Sequence, residues 1–135
     1  MTEFEPRLYI VMREDLWDMN PGKAMAQAAH AQADFDAYIE DTCGPNYTQN
    51  SKLWSNVLRW REDRNFGTTL VLSAPLDDMR EINDSMFHSG MTFDPTYPYR
   101  NWYGRVFTSD EITCMWAFVD NDADSEFMKK FQLHP

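Results

Sequence analysis

Leu8-Tyr9-Ile10-Val11-Met12, followed shortly by Asn20-Pro21-Gly22-Lys23-Ala24-Met25-Ala26-Gln27-Ala28-Ala29-His30, decides the architecture. The first run is apolar at every position, the pattern of a strand covered on both faces. In the second, Asn20 suits an N-cap and Pro21 the first helical position. An alanine-rich helix is expected to run from there to about Glu40. A strand feeding such a helix is the start of an α/β unit.

Outward from this pair, Asp41–Asn50 contains Cys43-Gly44-Pro45-Asn46 and reads as a loop. Ser51 is expected to cap a second helix, with Leu53, Val57 and Trp60 at helical spacing. Thr68–Ser73 is β-branched and apolar and reads as a strand. Pro75 is expected to open a third helix carrying Met79, Ile82 and Met86 on one face, with Gly90 as its stop. Tyr99–Phe107 reads as a strand, Thr108-Ser109-Asp110-Glu111 as a turn, and Thr113–Val119 as the returning strand. A short last helix beginning near Asp122–Asp124 carries Phe127 and Phe131. The order β-α-α-β-α-β-β-α predicts a single α/β domain: a mixed, mostly parallel four-stranded sheet with helices on both faces.

Composition agrees with one folded domain. The chain has 135 residues, enough to bury a core without metal or disulfide support. Its N-terminus lacks the pattern of a signal peptide, and no apolar run is long enough to span a bilayer. Cys43 and Cys114 form no C-x-x-C pair, so reduced thiols in a cytoplasmic protein are expected, with no metal site and no cofactor. Acidic residues number 22 against 12 basic ones, a net charge of −10. That charge opposes non-specific binding to a polyanion. Any nucleic-acid function needs a local basic site within an acidic surface, and a protein partner is the other reading.

The first helix holds the candidate site. At about 100° per residue, Lys23, Gln27, His30 and Asp34 fall within roughly 40° of one another. Ala24, Ala28, Ala31, Phe35 and Ile39 form a separate stripe suited to lie on the sheet, and Ala26, Ala29, Ala33 and Ala37 occupy the other flank. A polar stripe edged by small residues resembles a cleft wall, although a solvated helix face has the same periodicity. Lys23 lies in the first turn, where the helix end already favours anions. His30 can exchange a proton near neutral pH, and Asp34, four residues on, is placed to orient its ring.

Arg7–Leu16, ending in Arg13-Glu14-Asp15-Leu16, and the helix Gly22-Lys23-Ala24 … Gln27 … His30 resemble the opening of the archaeal and eukaryotic-type peptidyl-tRNA hydrolases. That family opens with an apolar strand ending in Arg-x-Asp-Leu and a Gly-Lys-x-Ala-x-Gln-x-x-His helix. Weaker similarity continues through Trp60, Thr69–Leu72, Ser89-Gly90-Met91 and Ile112–Ala117. The resemblance implies hydrolysis of the ester between a peptide and the 3′ end of tRNA, without cofactor. It implies Lys23 on a phosphate or the oxyanion, Gln27 and His30 positioning ester or water, and Thr113 lining the site. Peptidyl-tRNA is then the partner, with neither DNA nor membrane involved.

One family segment, Asp-Ala-Gly-x-Thr before the last strand, has no counterpart in Tyr97–Gly104. Asp94 and Thr96 lie just upstream, Thr108 and Asp110 just downstream, and sequence does not choose between them. A family member that has lost hydrolysis and binds tRNA or protein is the alternative. Tyr97, Tyr99, Trp102 and Tyr103 interleave with Arg100 and Arg105, a mixture suited to stacking bases and contacting phosphate. Arg100, Trp102 and Arg105 are therefore candidate substrate contacts, against the plainer reading of a half-buried aromatic strand. Arg59, Arg61 and Arg64 are the densest basic cluster, beside Glu62 and Asp63. His88 and His134 stand alone and read as structural or solvated.

Overall fold

The structure, a computed structural model, describes residues 5–16, 19–43, 51–62, 67–100 and 103–133. Its elements are β1 (Arg7–Arg13), α1 (Pro21–Cys43), α2 (Ser51–Glu62), β2 (Thr69–Ala74), α3 (Leu76–Ser85), β3 (Ser89–Arg100), β4 (Val106–Val119), α4 (Asp122–Met128) and β5 (Gln132–Leu133). This is the expected α/β order with a two-residue strand added at its end. Among the described residues one sheet forms, in the order β3-β4-β1-β2-β5.

The sheet is mixed, as expected, but not mostly parallel. β1 and β2 pair in parallel, from Leu8 opposite Thr69 to Arg13 opposite Ala74. The β1–β4, β2–β5 and β3–β4 pairs are all antiparallel. The cause is strand placement rather than direction. β3 runs the same way as β1 and β2, but β4 lies between β1 and β3, so each meets an antiparallel neighbour. A tight turn lets β4 return beside β3, whereas parallel neighbours need a long crossover.

β1 is buried on both faces because both faces are covered by helices. Leu8, Ile10 and Met12 join Cys114, Trp116 and Phe118 of β4 beneath α1 and α2. Tyr9 and Val11 join Met115, Ala117 and Val119 on the opposite side, against Met79 and Ile82 of α3 and Met128 of α4. Phe35 centres the first layer, with ring centroids 5.6 Å from Trp60, 5.2 Å from Trp116 and 5.5 Å from Phe118. Truncating such a ring to alanine costs about 3–5 kcal/mol.

The expected α1 cap is present: Asn20 Oδ1 accepts from the Lys23 amide at 3.0 Å. The helix runs on to Cys43 instead of stopping at Glu40. Asp41-Thr42-Cys43 contains no breaker, and Gly44-Pro45 comes only after it. Residues 44–50 of the expected loop lie outside the described residues, as does the Ser51 side chain.

Two further expectations are corrected. Gly90 does not stop α3, which ends at Ser85 with Met86 extended; it lies within β3. A Cβ on Gly90 would sit 2.7 Å from Trp116 Nε1, so the glycine admits an indole rather than ending a helix. The turn at Thr108–Glu111 is also displaced, since those residues belong to β4. The chain reverses near Gly104, whose φ of 79° is the left-handed conformation open to glycine. Polar Thr108–Glu111 stay in strand because they pair with β3, Ser109 opposite Tyr97 and Glu111 opposite Asp94.

The Arg-x-Asp segment ties the end of β1 to its surroundings. Arg13 Nε lies 2.8 Å from Asp15 Oδ1, and Arg13 Nη1 donates to the Ile112 carbonyl at 3.1 Å. Asp15 Oδ1 in turn accepts from the Leu76 amide at 3.2 Å. These contacts hold the approaches to α1 and α3 against β4.

Candidate active site

Gln27 is the hub of the site. Only 3% exposed, it lies between α1 and the sheet with its polar end among β3 and β4. Thr113 Oγ1 donates to Gln27 Oε1 at 2.6 Å, and Gln27 Nε2 donates to Asp94 Oδ2 at 2.7 Å. The chemistry fixes the amide orientation, because a carboxylate accepts and so must face the NH₂ side. The Cys114 thiol donates to the Gln27 backbone carbonyl at 3.1 Å. Burial pushes that thiol up to about 11, so it stays protonated at neutral pH. The neighbouring Thr113 and Thr92 hydroxyls pull the other way.

Lys23 lies one turn earlier. Its Nζ donates to the Pro98 carbonyl at 2.6 Å and sits 5.3 Å from the centroid of the Tyr97 ring. Tyr97 is buried and its hydroxyl meets Met19 Sδ at 3.5 Å, so the lysine rests on a fixed platform.

His30 and Asp34 lie one and two turns further along α1, both exposed. With Ala33, Thr92, Phe93, Asp94 and Pro95 they line an open cleft of about 240 Å³. No hydrogen bond joins Asp34 to His30 among the described residues, so the expected ring-orienting contact is not made. Thr92 is buried, with Oγ1 making no hydrogen bond. The Cys114 sulfur across the strand is close enough to feel this hydroxyl, but not in bonding geometry.

Four residues singled out from sequence thus converge: Lys23, Gln27 and His30 share one face of α1, and Thr113 meets Gln27 from β4. Asp94, one of four substitutes that sequence could not choose between, joins them from β3. Asp110 is exposed on β4 and is not among the cleft residues. Arg105 is exposed ahead of β4 and does not line the cleft either. Trp102 and the Arg100 side chain lie outside the described residues. Thr92, Phe93 and Cys114 were missed, because strand residues carry no sequence signal that tells a cleft wall from core. Among the described residues, no group of three or more His, Cys, Asp and Glu is placed to hold a metal ion. No described helix is long and apolar enough to cross a membrane.

The family model of the peptidyl-tRNA hydrolase PTH2 matches residues 7–94, about two thirds of the chain. The chain belongs to this family. The match to PTH2 opens with β1 and closes on Asp94, so it includes Lys23, Gln27, His30 and the carboxylate that Gln27 holds. Thr113 and the β3–β4 turn lie beyond it. No curated protein matches the chain.

Proposed function

We propose that this PTH2 chain hydrolyses the ester between a peptide and the 3′ end of tRNA, using the face of α1 from Lys23 to His30 and Asp94 opposite. The observation that carries the reading is the hydrogen-bonded line Thr113–Gln27–Asp94 beside the cleft that His30 lines. A carboxylate on this helix face supports hydrolysis over the alternative of a chain that only binds, which rested on the lack of an acid in Tyr97–Gly104.

In this reading a water in the cleft attacks the ester carbonyl. Asp94, or His30 beside it, takes the water's proton and returns it to the ribose 3′ oxygen as the C–O bond breaks. Gln27 and Thr113 act as positioning residues that keep the carboxylate aimed. Lys23 supplies positive charge for a phosphate or the developing oxyanion, close to a helix N-terminus that favours the same sign. In a protein of net charge −10, a cation anchored to Pro98 and Tyr97 is a local exception to the surface sign. The β3–β4 turn, with Arg100, Trp102 and Arg105, is assigned to the tRNA end on its aromatic and basic character. The reading takes the protein as cytoplasmic and free of cofactor.

The test is release of labelled peptide from a model peptidyl-tRNA by wild type, Asp94→Asn, Lys23→Ala and His30→Ala. Turnover by wild type with loss in Asp94→Asn supports hydrolysis at this site. A folded wild type without turnover overturns it, and a tRNA- or protein-binding role then stands.

A further inference from the structure

We infer that the cleft between α1 and β3 seats the aminoacyl residue at the peptide's C-terminus, and that Phe93 and Asp34 set a preference for apolar or cationic side chains there. The inference rests on the hydrolase reading and adds a polarity to it. α1 is electrically one-sided along this face: Lys23 is its lone lysine or arginine, while Asp34 and Asp41 follow on the same side in its second half. From Lys23 to Gln27 the helix rises about 6 Å, a span that one nucleotide bridges, and from Gln27 to Asp34 about 10 Å. With an RNA phosphate at Lys23 and the ester at Gln27 and Asp94, the acyl side faces Asp34. The reverse arrangement would lead a polyanion into carboxylates.

The cleft suits an acyl group rather than a phosphate. Asp34 and Asp94 make it acidic, and Ala33, Phe93 and Pro95 give it apolar walls. Phe93 is 61% exposed, although it flanks Thr92, which is buried. An aromatic ring exposed beside a carboxylate that the helix holds in place offers a packing surface for a side chain. Opposite Phe93, Ala33 leaves room that a larger helix residue would fill.

The experiment compares kcat/KM for tRNAs bearing N-acetyl-phenylalanyl, N-acetyl-lysyl, N-acetyl-glutamyl and N-acetyl-glycyl groups. Wild type should hydrolyse the phenylalanyl and lysyl esters faster than the glutamyl one. Phe93→Ala should slow the phenylalanyl ester about tenfold, with the glycyl ester changed less than about twofold. Asp34→Asn should shrink the lysyl-over-glutamyl preference about threefold, each rate being taken relative to that of the glycyl ester with the same variant. Equal wild-type rates across the series overturn this inference and leave the hydrolase reading intact. So does an equal loss in Phe93→Ala with every ester, which would place the terminal adenosine in the cleft. No turnover with any ester overturns both.

Discussion

Gln27 Nε2 lies 2.7 Å from Asp94 Oδ2, joining the middle of α1 to β3 across 67 residues of chain. The carboxylate is held by a side chain whose other end is itself fixed by Thr113. Asp94→Asn preserves shape, and its remaining Oδ1 can still accept from Gln27 Nε2, but in the hydrolase reading it removes a proton acceptor. A loss of about 10²–10⁴ in kcat is expected, with circular dichroism unchanged. Single-turnover release of labelled peptide checks it.

Thr113→Val should act on stability as well as rate. The buried Gln27 Oε1 would lose its donor, and an unsatisfied buried acceptor costs about 1–3 kcal/mol. Thr113→Ser keeps the hydroxyl and should recover most of the difference. Urea unfolding of the three proteins measures both effects.

Gly90→Ala should destabilise the fold although alanine is a better strand residue than glycine. The added carbon meets Trp116 Nε1 at 2.7 Å and the indole is wedged between Phe35 and Tyr38. Overpacking of this kind costs about 1–3 kcal/mol, read as a lowered midpoint in urea.

His88 makes stability depend on pH. Its Nδ1 lies 2.8 Å from Tyr38 Oη, and burial lowers its pKa, with Asp120 and Asp124 pulling partly the other way. Unfolded, the ring titrates near its ordinary value of about 6.5. Between the folded and unfolded values the unfolded chain binds the extra proton, so the contribution is complete above that value and is lost as pH falls through the folded one. The Tm advantage of wild type over His88→Asn should be larger at pH 7.5 than at pH 5.

The two thiols should separate in a labelling experiment. Burial raises both above the ordinary thiol value, but Cys43 is only half-buried at the end of α1, whereas Cys114 is enclosed beneath it. An alkylating reagent at pH 8 should modify Cys43 in the native protein and reach Cys114 only on unfolding. Mass spectrometry of timed samples decides.

Local chemistry accounts for what the sequence made legible. The unbroken Leu8–Met12 run, the Asn20–Pro21 cap and the stripe from Lys23 to His30 each follow from residue type at fixed spacing, and each is present. Gly90 misled because a glycine that admits Trp116 looks, in one dimension, like a helix stop. Thr108–Glu111 misled because a run of polar residues in a strand resembles a turn. Asp94 could not be chosen over Asp110 because it lies in the part of β3 ahead of Tyr99, where the sequence shows no strand, and its approach to Gln27 depends on the register of the β3–β4 pair. The expectation of a mostly parallel sheet failed because β4 lies between β1 and β3, a placement that local sequence does not encode.

The position of β1 also bears on the order in which the domain can assemble. Its parallel partner follows after some sixty residues, but the other half of its ladder is β4, where Arg7 meets Val119. A chain emerging N-terminus first therefore makes its opening strand long before that strand can be closed on both edges. Pairings between such distant segments pay their loop-closure entropy early and slow the search. Asp94 and Thr113 follow Gln27 by 67 and 86 residues, so during synthesis Gln27 waits for both of its partners. The hydrogen-bonded line through Gln27 should thus be completed only with the docking of the β3–β4 ribbon, and not build up with chain length.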